Sequence, residues 1–194
     1  MKKIISKGFT LIELLIVIGI LGILVVAVLL TLNPAEAQKR ARDSKRMKDL
    51  ATMQSAVQQF VDGGGILPIL STWTSYGANT SQSCDGAVGW LALGSGTTGT
   101  NSLCTYINNI PLDPLNTISR SVVGQAGALV CPPPAGNGGH LTVTMGYRVA
   151  MRANGLFEVD VRQESDTNCS NVVSDGGDST QWAEAGSDLA VVGN

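Results

Sequence analysis

Residues 9–32 form an apolar run interrupted by one charged residue, Glu13, and from residue 14 to residue 30 no side chain is charged or able to hydrogen-bond. As a helix rising roughly 1.5 Å per residue, the run would reach about 36 Å. The hydrocarbon core of a bilayer is about 30 Å thick. The segment is long enough to cross a membrane, which limits the fold to an apolar anchor followed by a separate head. Lys2, Lys3 and Lys7 precede the run. A secretory signal peptide has such a basic start, and Ala35-Glu36-Ala37 reads as a cleavage triplet, but its apolar core is only about 7–15 residues long. A plain membrane anchor leaves the acid unexplained, because a carboxylate at the centre of a spanning helix costs about 2.5–3.5 kcal/mol, less near its end.

A third reading gives the acid a task. Lys7-Gly8-Phe9-Thr10-Leu11-Ile12-Glu13-Leu14-Leu15 resembles the processing signal of type IV prepilins and pseudopilins, and the likeness continues through residue 32. The resemblance implies cleavage between Gly8 and Phe9 by a prepilin peptidase, followed by methylation of the new amine on Phe9. It also implies that Glu13 neutralises the Phe9 ammonium of an adjacent subunit in a fibre. Two buried charges, each costly alone, then offset one another and fix the register of assembly. Gly19, Gly22 and Ala27 allow close helix approach within the run.

After Asn33-Pro34 a second helix is expected to residue 62. Met47, Leu50, Met53, Val57, Phe60 and Val61 recur at three- and four-residue steps, and Gly63-Gly64-Gly65 ends the pattern. Pro34 is either a kink or the first turn of the new segment. Ahead of the stripe lie Lys39, Arg40, Arg42, Lys45, Arg46 and Lys48, relieved by Asp43 and Asp49. This cluster is a solvated face, or it touches anionic headgroups, acidic residues of the next subunit, or DNA. No aromatic residues are interleaved, so single-strand stacking has no support. By charge count alone the cluster would sit on the cytoplasmic side. The processing signal and the cysteines require the opposite orientation.

In the head, Leu141, Val143, Met145, Tyr147, Val149 and Met151 alternate with polar residues, as do Phe157, Val159 and Val161 with Glu158, Asp160 and Arg162. The two runs form a hairpin through Ala153-Asn154-Gly155. A two-residue loop would put the apolar rows on opposite faces. A three-residue loop with left-handed Gly155 sets Met151 opposite Phe157 and Val149 opposite Val159, and it places Arg148 beside Asp160 on the solvent side. Residues 63–121 read as a long connection with short helices at Trp90-Leu91-Ala92-Leu93 and residues 103–107. Residues 189–192 read as a short last strand.

Cys84, Cys104, Cys131 and Cys169 form no short-spaced metal pair. Two disulfides in an oxidising compartment are expected, with four reduced, buried thiols as the alternative; the sequence alone does not choose among the three pairings, and Cys84–Cys104 with Cys131–Cys169 is favoured because only neighbouring segments then need to meet. Residues 106–114, with Ile110-Pro111-Leu112-Asp113-Pro114, and the later Tyr147-Arg148 resemble the major pseudopilin of type II secretion. That resemblance implies a calcium site in the C-terminal loop. Asp175, Asp178 and Asp188 would be its carboxylates, with carbonyls from the glycine turn. The alternative is an acidic surface loop. No other cofactor is implied.

With charged residues at 14% and a net charge of −2, nothing suggests a nucleic-acid field. His140 has no Ser or Cys partner in a recognisable arrangement, and no phosphate-binding motif is present, so an enzyme is not expected. The expected fold is α+β, a pilin fold. It comprises a leader at residues 1–8, a membrane and polymerisation helix at 9–32, an amphipathic helix at 33–62, and a head at 63–194 with a small antiparallel sheet and long loops. The function implied is a structural subunit of a type IV pilus. The alternatives are a type II secretion pseudopilin and a secreted binding module freed by signal peptidase. The partners implied are like subunits, the prepilin peptidase and an inner-membrane assembly platform. The precursor is expected in the inner membrane with its N-terminus cytoplasmic and its head outside, and the assembled fibre in the periplasm or beyond the cell.

Overall fold

A computed structural model of the chain describes residues 8–31, 33–66, 68, 71–77, 80–84, 89–91, 93, 102–123, 140–152, 155–177 and 181–188. It divides into two compact units, Met1–Ala37 and Gln38–Asn194.

Helix α1 spans Leu11–Thr31. Its large apolar side chains from Leu11 to Leu29 are all exposed within the unit, as expected of a helix whose partners are lipid tails or other subunits. Helix α2, Pro34–Asp62, begins as Asn33 caps it. The Asn33 Oδ1 accepts the Glu36 N–H at 3.2 Å. Pro34 is the first helical residue, where a missing N–H costs nothing. At the other end, the Gly65 N–H bonds to the Phe60 carbonyl and the Gly64 N–H to that of Val61, both at 2.8–2.9 Å, with Gly64 left-handed at φ +83. This is a Schellman stop, and it meets the expected end of the helix.

The main sheet has the order β1-β4-β5-β6, all antiparallel, from β1 (Ser71–Thr74), β4 (Arg148–Met151), β5 (Phe157–Val161) and β6 (Ala183–Gly186). A separate pair is formed by β2 (Ser119–Val123) and β3 (His140–Thr144). A short helix α3, Ser170–Val173, precedes β6. The β4–β5 register sets Met151 opposite Phe157, Val149 opposite Val159 and Arg148 opposite Asp160. The Arg152 N–H closes the loop onto the Leu156 carbonyl at 2.8 Å, and Gly155 has φ +80. The three-residue loop and its pairing are those expected.

One core cluster joins Leu50, Met53, Ala56, Val57 and Phe60 of α2 to Val149, Met151, Phe157, Val159 and Val161 of the sheet. The long connection adds Trp90, Leu91, Leu93, Leu103 and Ile110. The apolar stripe read on α2 is the core face.

Four expectations need correction. The alternation from Leu141 to Met151 is not one strand. It breaks at Met145-Gly146-Tyr147, and its two halves enter different sheets. At Gly146 a Cβ would run into Tyr76, Ser75 and Asn116, so the chain passes there only because the residue is glycine. Residues 90 and 91 form bends, not a helix. Residues 103–107 contribute only a 3₁₀ turn at Leu103–Thr105. Asp160 does pair with Arg148, at 2.5 Å, but the pair is not solvated: all five residues of β5 are buried, so the sheet is covered on both faces. The expected strand at residues 189–192 lies outside the described residues.

Candidate functional site

At the N-terminus, Gly8, Phe9 and Thr10 are non-helical and exposed, and nothing lies within 4 Å of a Cβ placed on Gly8. The Gly8–Phe9 junction is therefore sterically open directly before the helix. Thr10 caps α1 reciprocally with Glu13. The Glu13 N–H donates to Thr10 Oγ1 at 3.3 Å, and the Thr10 N–H donates to Glu13 Oε2 at 2.9 Å. The Thr10 hydroxyl also donates to that oxygen, at 2.7 Å. This is a capping box. The Thr-x-x-Glu spacing that announces it was present in the sequence but was read only as part of the processing signal. The Glu13 carboxylate thus satisfies one backbone donor, the Thr10 N–H, at the start of its own helix. Leu11–Leu29 is long and apolar enough to cross a membrane.

In the second unit, the basic cluster on α2 divides. Arg40, Lys45 and Lys48 are exposed, Lys39 and Arg42 are half-buried, and Arg46 is fully buried. The Arg46 Nε and Nη2 donate to Asp113 Oδ2 and Oδ1 at 2.5 and 3.0 Å. Its Nη1 donates to Asp43 Oδ1 at 2.7 Å and lies 2.6 Å from Glu164 Oε1. Arg42 grips Glu164 with both Nε and Nη2, at 2.9 and 2.6 Å. Asp43 also accepts the Glu164 and Ser165 N–H groups, the latter at 2.8 Å, and the Asn168 amide at 3.1 Å. Burial pulls the Arg46 guanidinium down, but Asp113 and Glu164 outweigh it, so its pKa is raised. Burial would raise the Glu164 carboxyl, yet Arg42 and Arg46 hold it below the usual carboxylate range. The solvated-face reading therefore fails for Arg42 and Arg46, which tie α2 to two loops of the head.

On the sheet face away from α2, Glu158, Asp160 and Glu184 come together, each buried. Each offers a carboxylate oxygen within 4.8 Å of the others. Burial, then Glu158, pushes the Asp160 carboxyl well up, against the pull of Arg148. The Arg148 and Arg162 guanidiniums lie 4.5 and 3.7 Å from the centroid of the Trp182 ring, and burial brings Arg162 down to about 10. Asp175 accepts the Gly177 and Glu184 N–H groups at 3.0 and 2.8 Å. Of the three aspartates expected to hold calcium, Asp175 adjoins this cluster and Asp188 lies 3.4 Å from Arg152; Asp178 is outside the described residues. Glu158, Asp160 and Glu184 were missed because period-two alternation does not reveal what covers a strand's second face.

Cys84 and Cys104 form a disulfide. Cys169 is buried and also disulfide-bonded, while Cys131 lies outside the described residues.

An exposed apolar helix opened by a Gly-Phe junction and an acid, followed by an amphipathic helix and small antiparallel sheets, is consistent with an α+β pilin fold. Residues 5–29 match the family model for the prokaryotic N-terminal methylation motif, the signal for prepilin-type cleavage and methylation. Nothing matches significantly among curated proteins or among solved structures. The motif implies processing by prepilin peptidase and assembly with other pilin subunits. With the apolar helix, it fits an inner-membrane precursor that is later built into a fibre.

Proposed function

We propose that the chain is a structural subunit of a type IV pilus or pilus-like fibre, cut between Gly8 and Phe9, methylated on Phe9 and polymerised through α1. The observation that carries this is the methylation motif at residues 5–29 heading a helix whose large apolar side chains are exposed. Cleavage places an ammonium on Phe9, and Glu13 of a neighbouring subunit is its counter-charge. In the precursor, Thr10 holds Glu13 in the capping box, which lowers the penalty of carrying the acid into the bilayer before assembly. The head then stands outside the cytoplasm, where its disulfides persist.

The geometry disfavours release by signal peptidase. Ala35-Glu36-Ala37 lies in the first turns of α2, not in extended chain. Mass spectrometry of the mature N-terminus separates the readings: methyl-Phe at position 9 is expected, and a start at Gln38 would overturn the proposal. Glu13→Ala should still insert in the membrane but yield few or no fibres by electron microscopy. Normal fibres from this variant would remove the assigned role of Glu13.

A further inference from the structure

We propose that the covered face of the main sheet is a pH-sensitive switch, in which Asp160 keeps a proton against Glu158 in the folded head and gives it up in alkaline medium, loosening β5 from its neighbours. The register builds the pair. Thr74, Arg148, Asp160 and Glu184 lie side by side across the four strands, and Glu158, two residues back along β5, shares their face. Glu158 and Asp160 are both 0% exposed, so bulk water does not screen one from the other.

Two neighbours decide the state of Asp160. The Arg148 Nε donates to its Oδ2 at 2.5 Å. Its Oδ1 is buried and receives no hydrogen bond, and its carboxyl lies in hydrogen-bond contact with that of Glu158. Two ionised carboxylates are acceptors only and cannot bond to each other, whereas one proton between them supplies the missing donor. Arg148 does not remove that need, because its charge is shared. Its Nη2 lies 3.6 Å from Glu158 Oε1, and its guanidinium lies over the Trp182 ring. The wider surroundings add negative charge. Glu184 from β6 and Asp175 from the turn after α3 join the pair, and Arg162 at the end of β5 is the second cation, with Tyr76 from the turn after β1 near it. From β1 itself this face receives the uncharged Thr74. Four carboxylates formally face two guanidiniums, and a proton on Asp160 halves the excess of two negative charges.

The sign of the pH dependence follows. Burial, then Glu158, raises the Asp160 carboxyl well above the usual aspartate range, against the pull of Arg148. In the unfolded chain the same carboxyl ionises near its ordinary value, about 4. Between those two values the folded head binds the extra proton, so this contribution to stability is full below about pH 4 and is lost as pH rises through the folded value. Burial raises Asp175 as well, which adds to the fall in the same direction.

The test uses the full chain in detergent, unfolded thermally at a series of pH values from about 5 to about 9. The unfolding temperature should fall by about 3 °C or more across that range. Asp160→Asn, whose amide donates to Glu158 without a proton to lose, should remove at least half of the fall. Infrared difference spectra give a second readout that needs no variant. Near neutral pH the folded protein should show the stretch of a buried protonated carboxyl, and that band should vanish on alkalinisation or unfolding. It should be missing from Asp160→Asn and from Glu158→Gln, whose amide donates to an ionised Asp160, and present in Asp188→Asn. An unfolding temperature that is flat or rises over this range would overturn the proposal. So would the lack of a protonated-carboxyl band near neutral pH, or a band that persists in Asp160→Asn. An equal loss of stability from Asp160→Asn at every pH would also overturn it, showing Asp160 ionised and simply paired with Arg148.

Discussion

Arg46 occupies a position that its neighbours in the helix give to apolar residues. Leu50, Met53, Val57 and Phe60 follow it at steps of four and three along the same face, and all are buried. A lysine there would present a point charge, whereas the guanidinium forks onto Asp113 and still reaches Asp43 and Glu164. Two arginines and three carboxylates share one buried network, in which each charge is acceptable only while the others remain. Arg46→Ala leaves Asp43 and Asp113 buried without their counter-ion, and its expected cost is about 3–5 kcal/mol, the range for breaking a buried pair. Arg46→Lys should recover part of this. Urea unfolding of the full chain in detergent, followed by near-ultraviolet circular dichroism, measures it. A loss under about 1 kcal/mol for the alanine variant, the size of an exposed pair, would show that the network carries no weight. The signal for this role was in the sequence: Arg46 continues the apolar stripe backwards by one step. It was obscured because a run of six basic residues reads most simply as one exposed face.

Among the elements, α2 and the β4–β5 hairpin were the most legible, because each is specified locally. The stripe fixes which face of α2 is buried, and the Asn33-Pro34 start and triple-glycine stop fix its ends. In the hairpin, only one loop length keeps Met151 and Phe157 on the same side, and the observed pairing follows. Gly155 adopts φ +80 with its nearest foreign atom, Val61 Cγ1, 3.5 Å from a notional Cβ. There is room for a side chain, so the backbone conformation alone carries the penalty. Gly155→Ala should cost about 1 kcal/mol in thermal unfolding, and Gly155→Asn less, since asparagine enters the left-handed region more readily. Equal losses for both would point to crowding instead. What was not legible depends on distant chain. The alternation from Leu141 to Met151 shows no sign that it feeds two sheets, because the cause lies in Ser75, Tyr76 and Asn116 packing against Gly146. The buried acids were hidden in the same way: Glu158 and Asp160 alternate as a solvent row should, and only the packing of Arg148, Arg162 and Trp182 makes that row interior.

At the scale of the molecule, the chain solves two different solvent problems. Residues 11–29 leave their apolar side chains outward for lipid or for other subunits. The second unit gathers its own core, and part of that core comes from a segment with little regular structure. Trp90, Leu91, Leu93 and Ile110 are buried, yet the described chain from residue 80 to residue 112 holds only one 3₁₀ turn and the bridge between Ser83 and Asn109. Its backbone is tied by isolated bonds, Trp90 to Ser81 at 3.0 Å and Ile110 to Gln82 at 2.8 Å. The Cys84–Cys104 link, with a sequence separation of 20, ties two parts of this segment together covalently. Closing a loop of that length contributes about 3 kcal/mol through the unfolded state. The double variant Cys84→Ser/Cys104→Ser should lose about that much and, before global unfolding, become sensitive to limited proteolysis between residues 85 and 110, while the hairpin at residues 148–161 remains protected. The unaltered protein, denatured without reductant, should show no reactive thiol, consistent with a head that matures outside the cytoplasm. Reactive thiols, or cleavage first in the hairpin, would mean that packing of Trp90 and Leu91 holds this segment without the covalent link.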